Sequence, residues 1–402
     1  MKIKKLLVIA PEYPADDLPK TTTPVVHYFC KEWKKQGVEV LVINYISNFP
    51  EFYYSIVRPF VGVISSKEGF QIRTSTAKEY SYIKDNVQIK RIALNKIVPH
   101  SRYSSKEIKK AADKTVEYCN KIGFKPDFVI GHWFDPCVEI IAELKHVWTF
   151  KCGVSLHGCG DKLLSKYGDD FYKLFKNLDI IGFRSYPIQT NFNKLFDVSI
   201  PGFVCPSGIP DAYISKSNRE YNRPIRSFAF VGTLIKRKYP AEIIPAVNMA
   251  FHDEDFEIRY IGTGIESNRI LNYAKKYNIE ENIRMYGRKQ RTEVIDLLKN
   301  TDVLVMNSKD ETFGLVYLEA MAVGCIVIAS KNEGFDGIIK DGINGFLCKA
   351  GDISDLSKTI VRIKNLSTAQ LNEISNNAIL TAQSLTESIV AKDYLNNLNS
   401  VM

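Results

Sequence analysis

No stretch of this chain offers the ~18 consecutive apolar residues that a bilayer crossing requires. The apolar run 6–10 follows basic residues but meets Pro11-Glu12, so a first buried strand is expected there rather than a secretion signal. The eight cysteines contain no C-x-x-C pair and no zinc-like spacing with the histidines, which excludes a metal ribbon or dithiol reading. They are expected as free thiols in a reducing compartment. Aromatic residues are not interleaved with basic ones in the manner of a nucleic-acid module, and no nucleic-acid partner is expected.

What is present is an ordinary globular composition, 45% hydrophobic and 25% charged over 402 residues, enough to fill two cores. The net charge of +9 is uneven: residues 1–120 hold 20 Lys and Arg against 12 Asp and Glu, or +8. A basic face on the N-terminal part suits either an anionic acceptor or anionic lipid, or is a solvated lysine-rich surface.

Strand-length apolar runs at 5–10, 39–45, 87–94, 128–133, 153–157 and 180–184 alternate with helical patterns, clearest at 26–36 and 105–122. After a Pro- and Ser-dotted crossing at 201–224 the pattern restarts. Strands are predicted at 226–231, 257–261, 283–286, 303–307 and 326–329, with helices at 266–277, 292–299, 314–323 and 353–364. The expected architecture is α/β, with two Rossmann-like domains facing each other across a cleft, at 1–205 and 206–382. An amphipathic helix at 387–399, within a terminal segment 383–402, is expected to pack back on the first domain.

The densest signal is Lys309-Asp310-Glu311-Thr312-Phe313-Gly314-Leu315-Val316-Tyr317-Leu318-Glu319-Ala320-Met321-Ala322, which follows a strand and opens a helix. Gly314 permits an unusual backbone angle at the junction, and the amides of Leu315 and Val316 then lie where a helix leaves N–H groups unpaired, a favourable place for phosphate. Glu319 lies ~7–8 Å along the axis from that terminus. Standing alone, Glu311 and Glu319 could also be a surface and a helix glutamate with no shared task.

With the rest of the chain, this segment resembles glycosyltransferase family 4, whose pattern is close to E-x-F-G-x-x-x-x-E-A-M-A. Residues 230–238, Phe230-Val231-Gly232-Thr233-Leu234-Ile235-Lys236-Arg237-Lys238, resemble the family's G-R-L-x-x-x-K phosphate loop, and Gly262-Thr263-Gly264 its following turn. Asn282 to Arg288 resembles the strand bordering the base, Asp341 to Leu347 the D-G-x-N-G-x-L segment, Gly131-His132-Trp133 the H-x-H-W segment, and Leu156-His157-Gly158 the H-G segment at the lip of the cleft.

The resemblance implies a GT-B fold and a retaining transfer from a nucleotide-diphosphate sugar, uridine being the family's commoner base. The chemistry would fall to Glu311, His157 and Lys238, and the donor contacts to Gly232, Thr233, Lys238, Gly262, Arg288, Phe313, Gly314, Leu315, Val316 and Glu319. The nucleotide sugar is a co-substrate; no other cofactor and no metal is expected. Three segments depart from the pattern: Thr233 stands where an Arg is usual, Lys20-Thr21-Thr22-Thr23 replaces a Gly-Gly turn near the acceptor, and Glu333-Gly334-Phe335-Asp336-Gly337 replaces G-G-x-P-E. The rival readings are another GT-B enzyme, a nucleotide-sugar epimerase or a phosphorylase, and a non-catalytic donor-binding scaffold.

By the same resemblance the acceptor is expected to be a glycan or lipid-linked molecule of bacterial surface-polysaccharide assembly, and the location cytoplasmic. The aromatic segment 49–60, with Phe52, Tyr53 and Tyr54, suggests a peripheral contact with anionic membrane at its inner face; the alternative is a helix packed inside the first domain.

Overall fold

The computed structural model describes residues 2–15, 24–68, 73–99, 101–158, 160–168, 170–217, 219–252 and 254–402. The substituted turn Lys20–Thr23 lies outside them.

Eight strands build the first sheet: β1 (Lys5–Ala10), β2 (Glu39–Asn48), β3 (Ser81–Lys84), β4 (Val87–Asn95), β5 (Phe128–His132), β6 (Lys151–Leu156), β7 (Ile180–Phe183) and β8 (Gly202–Val204). Their order is β3-β4-β2-β1-β5-β6-β7-β8, and only β3 is antiparallel to its neighbour. The second sheet has β9 (Ser227–Val231), β10 (Glu257–Ile261), β11 (Ile283–Gly287), β12 (Val303–Met306), β13 (Ile326–Ser330) and β14 (Phe346–Cys348), all parallel, in the order β11-β10-β9-β12-β13-β14. Leu6 to Ile9 and Val303 to Val305 are sealed from solvent, as continuous apolar runs must be when helices cover both faces of a parallel sheet. Among the parallel strands of each sheet the order reverses once, between β1 and β5 and between β9 and β12, and such a switch point opens a crevice at the carboxyl ends of the strands.

Part of the expected crossing at 201–224 is not a linker: Gly202–Val204 closes the edge of the first sheet against β7. The chain passes between the units near residue 208 and returns near 386, and the two passages lie side by side. Ile209 N–H donates to Leu385 O at 3.2 Å, and Glu387 N–H to Ile209 O at 2.8 Å. Gly208 permits this approach, since a Cβ there would stand 2.6 Å from the Glu387 nitrogen. The returning helix Glu387–Asn399 places Val390, Ala391, Tyr394 and Leu398 in one core with Val26, Phe29 and Trp33, and the Trp33 indole donates to Ala391 O at 2.8 Å.

The aromatic segment forms the helix Glu51–Val57 and the turn Arg58–Phe60. Here the expected grouping of Phe52, Tyr53 and Tyr54 is corrected. Tyr54 is buried and its hydroxyl accepts from Phe49 N–H at 3.2 Å, whereas Phe52, Ile56 and Phe60, four residues apart on one face, are about 60% exposed. Among the described residues no helix is long and apolar enough to cross a membrane.

Candidate functional site

The carboxyl ends of β9 and β10 meet backbone to backbone. Gly232 N–H donates to Ile261 O at 2.9 Å, and Leu234 N–H to Thr263 O at 3.0 Å. A Cβ on Gly262, whose φ is +152°, would lie 1.9 Å from Gly232 O, so only glycine lets the two loops interlock. This fixes the loop through Thr233, whose carbonyl accepts from Ile235 N–H at 3.0 Å, and delivers Lys238. A Cβ on Gly232 would sit 3.3 Å from Lys238 Nζ, so the bare glycine lies directly beneath the ammonium. Lys236 is exposed, and Arg237 donates to the carbonyls of Lys309 and Asp310 at 3.3 Å each, tying the phosphate-loop candidate to the segment after β12.

That segment carries Glu311, whose Oε2 lies 3.6 Å from Lys238 Nζ. This oxygen is buried and has no hydrogen-bond partner among the described residues. The Glu311 backbone is clamped from the other side: its N–H donates to Glu333 Oε2 at 2.9 Å, and Gly334 packs so tightly that a Cβ would lie 2.5 Å from Glu311 O. The G-G-x-P-E departure therefore keeps a glycine at the point of closest approach and adds a carboxylate that holds the loop. Gly314 takes φ +84° before the helix Leu315–Ala322, and the amides of Leu315 and Val316 open that helix. Phe313 contributes only backbone to this surface, because its ring is buried against Phe335. Asn307, just after β12, and Ser330, at the end of β13, carry further buried polar atoms with no hydrogen-bond partner among the described residues.

Glu319 is buried and bonded to Arg291 Nε, at the start of the helix Arg291–Lys299. The Arg291 guanidinium lies 5.0 Å from the Tyr213 ring and 6.0 Å from that of Tyr28 in the first unit. Arg288, expected at the base, is exposed on the loop after β11. Sequence reading missed Arg291 because a cation three residues along a loop carries no motif. Its position at the start of a helix following β11, facing the one buried carboxylate of a neighbouring helix, emerges only from packing.

Across the cleft, β5 ends at His132 and β6 at Leu156, on adjacent parallel strands, which sets His132 Nδ1 3.1 Å from His157 Nε2. Trp133, at φ +63°, turns its ring onto His157 with 3.9 Å between centroids. Burial, reinforced by the charge of Arg184, pulls His132 down to about 3 and His157 well below the ordinary imidazole range. Both rings are therefore neutral near pH 7, and His157 is a hydrogen-bonding group, not a cation. The Thr312 hydroxyl donates to His157 O at 3.2 Å, so the residue after Glu311 touches the opposite lip. Lys238 is thus paired with Glu311, the neighbouring Thr312 joins that loop to the His157 backbone across the cleft, and Glu319 is held by Arg291.

Residues 214–381 match the family described as "Glycosyl transferases group 1". An uncharacterized glycosyltransferase of Methanocaldococcus jannaschii is 34% identical over 243 residues, covering 60% of this chain and 66% of that protein. The chain spans from a third to just under two thirds of the length of the first curated relatives it matches. The fold is similar to that of sucrose-phosphate synthase from Thermosynechococcus elongatus, with TM-score 0.69, 16% identity, and 99% of both chains covered. It is also similar to that of the Anabaena protein HepE solved in complex with UDP, with TM-score 0.69, 14% identity, and 98% and 100% of the two chains covered. This chain is therefore a two-domain α/β protein of the GT-B fold whose second domain carries the pattern of the group 1 glycosyl transferases.

Proposed function

We propose that the protein is a retaining glycosyltransferase of the family 4 type, moving a sugar from a nucleotide diphosphate, with uridine as the base, to a glycan or lipid-linked acceptor in surface-polysaccharide assembly at the cytoplasmic side of a membrane. The observation that carries this reading is the pairing of Lys238 Nζ with a buried Glu311 oxygen that has no hydrogen-bond partner among the described residues, on the loop that leads into a helix N-terminus and touches the His157 backbone through Thr312. When the bond from the anomeric carbon to the diphosphate oxygen breaks, negative charge grows on the diphosphate. Lys238 and the amides of Leu315 and Val316 oppose it in a site that needs no reorganisation. The acceptor hydroxyl then gives its proton to a diphosphate oxygen as the new glycosidic bond forms on the same face. Glu311 holds hydroxyls of the transferred sugar, neutral His157 hydrogen-bonds to the sugar or the phosphate, and Glu319 takes the ribose hydroxyls.

Arg237 is committed to two carbonyls and Lys236 is exposed, which leaves Lys238 as the diphosphate's cation in this loop. Loss of one charge-assisted hydrogen bond corresponds to about 10- to 100-fold in affinity. Calorimetric titration with UDP should show that weakening in Lys238→Ala and little change in Lys236→Ala, with turnover of the parent unaffected by EDTA. Parent-like UDP affinity in Lys238→Ala would remove the assignment. Sugar release or isomerisation from the donor with no acceptor present would favour the epimerase reading.

The exposed face of Phe52, Ile56 and Phe60 supports a peripheral contact with anionic lipid in the same unit that holds most of the positive charge.

A further inference from the structure

No step of the transfer uses the buried guanidinium of Arg184. The residue follows β7 directly and stands beside His157, which follows β6: Leu156 pairs with Phe183 in the sheet, and Arg184 N–H donates to Leu156 O at 3.1 Å. Arg184 is 2% exposed, and among the described residues no carboxylate lies within ion-pair distance of it. Its guanidinium donates to Cys205 O at 2.5 Å and to Ser207 Oγ, and lies 5.2 Å from the centre of the Phe29 ring. A neutral amide could serve the same two acceptors, so anchoring the crossing chain does not account for a full charge. A guanidinium enclosed without a carboxylate is costly to bury.

The surroundings direct this charge toward the cleft. Ser185, likewise buried, precedes the helix Tyr186–Leu195 without capping it, and its Oγ has no hydrogen-bond partner among the described residues. The helix therefore adds an uncapped N-terminus of the same positive sign. Tyr186 meets the second unit at Gly337, which has φ +93° and where a Cβ would stand 2.6 Å from the Tyr186 ring. Gly337 ends the segment 333–337, whose Glu333 accepts from Glu311 N–H, and Thr312 donates to His157 O. The strand end that carries Arg184 and the loop that carries Glu311 thus stand against each other across the cleft. Burial first, and the charge of Arg184 second, lower the pKa of His157, so that charge is felt at the lip.

We infer that Arg184 supplies, through space, a second positive charge for the donor's diphosphate, acting from the first unit as Lys238 acts from the second. This rests on the reading of the crevice as the donor site. Arg184 does not touch the donor; enclosed in protein, its field is weakly screened by salt. Adjacent strands are about 4.8 Å apart, so a diphosphate held against His157 lies roughly 10 Å from the guanidinium. At an effective dielectric of about 20, one unit charge at that distance changes the affinity for a singly charged anion about tenfold. The phosphate loop by itself opposes a multiply charged group with one lysine, because Thr233 is uncharged and Arg237 is tied to two carbonyls. The charge of Arg184 supplements it without a further cation in that loop.

The test compares ligands that differ in charge. Uridine, UMP, UDP and inorganic pyrophosphate are titrated into the parent, Arg184→Gln, Arg184→Lys and Ser207→Asp by calorimetry or ligand-observed NMR, with folding checked by circular dichroism. Ser207→Asp leaves the guanidinium in place and sets the missing carboxylate against it, so the charge is tested even where Arg184→Gln does not fold. Arg184→Gln and Ser207→Asp should each bind UDP about tenfold more weakly, lose less with UMP and bind uridine as the parent does, while Arg184→Lys stays within about threefold of the parent throughout. A purely structural Arg184 would instead weaken uridine, UMP and UDP alike. Equal losses for uridine and UDP, or parent-like UDP affinity in both neutralised variants, overturn the inference. If the parent binds pyrophosphate but not UDP, the nucleotide reading falls, and the charge then stands or falls on whether pyrophosphate weakens in Ser207→Asp. If the parent binds neither, both readings fall.

Discussion

Replacing Arg291 by Met separates two roles that Glu319 could play. Glu319 is 6% exposed and its carboxylate is bonded to Arg291 Nε; the Arg291 side chain is 25% exposed and flanked by Tyr213 and Tyr28. Removing one partner of a buried pair leaves the other charge uncompensated, which costs about 3–5 kcal/mol when the pair is fully enclosed. Partial solvent access at Arg291 brings the expectation to about 2–3 kcal/mol. For a domain of this size that is a fall of roughly 5–10 °C in Tm. Glu319→Gln leaves Arg291 buried against a neutral amide and should cost a similar amount. The double variant should cost less than the sum, with a coupling of about 2 kcal/mol. Binding supplies the second axis. If Glu319 takes the ribose hydroxyls and Arg291 orients it, UDP affinity should fall about 10-fold or more in Glu319→Gln and by a smaller factor in Arg291→Met. Thermal unfolding and calorimetry on the four proteins complete the cycle. Additive stability effects would show that the pair does not act as a unit, and undiminished UDP affinity in Glu319→Gln would reduce it to a structural anchor.

Two further outcomes are expected. Because His132 is held near 3 in the folded protein against about 6.5 unfolded, the unfolded chain binds a proton between those values that the folded chain refuses. Stability at this position is therefore fully present above pH 6.5 and is lost as pH falls, by about 2 kcal/mol at pH 5. Urea unfolding at pH 7.5 and 5.0 should show a smaller loss in His132→Gln than in the parent, and an equal loss would contradict the neutral pair. The membrane contact predicts salt-sensitive co-sedimentation with anionic vesicles that is lost when Phe52, Ile56 and Phe60 become Ser; a parent that stays in the supernatant at low salt removes it.

The sequence by itself determined the layers. Apolar runs such as 5–10 and 303–306 read as strands buried on both faces, and the restart of such runs after residue 225 divides the chain into two sheets. Segments without that pressure were not legible. Strands β3, β8 and β14 are only three or four residues long and lie at sheet edges, where pairing with a neighbour decides the matter. The helix Ile243–Phe251 is apolar nearly all round, so it shows no amphipathic period, and its place beneath the second sheet is set by the core it fills.

The candidate site divides in the same way. Gly314 could be read in the sequence because a helix start limits which residues can stand there, whereas Gly232, Gly262, Glu311 and Glu319 stand out through the resemblance to the family's pattern. Tertiary structure alone decided that Lys238 lies against Glu311, that Arg291 holds Glu319, and that His132 supports His157. It also decided that Tyr54 turns inward while Phe52 turns out. Each of these depends on which groups from distant parts of the chain are brought within a few ångströms once both sheets are packed. Local pattern limits the conformation of a residue but carries no information about its partner across a cleft.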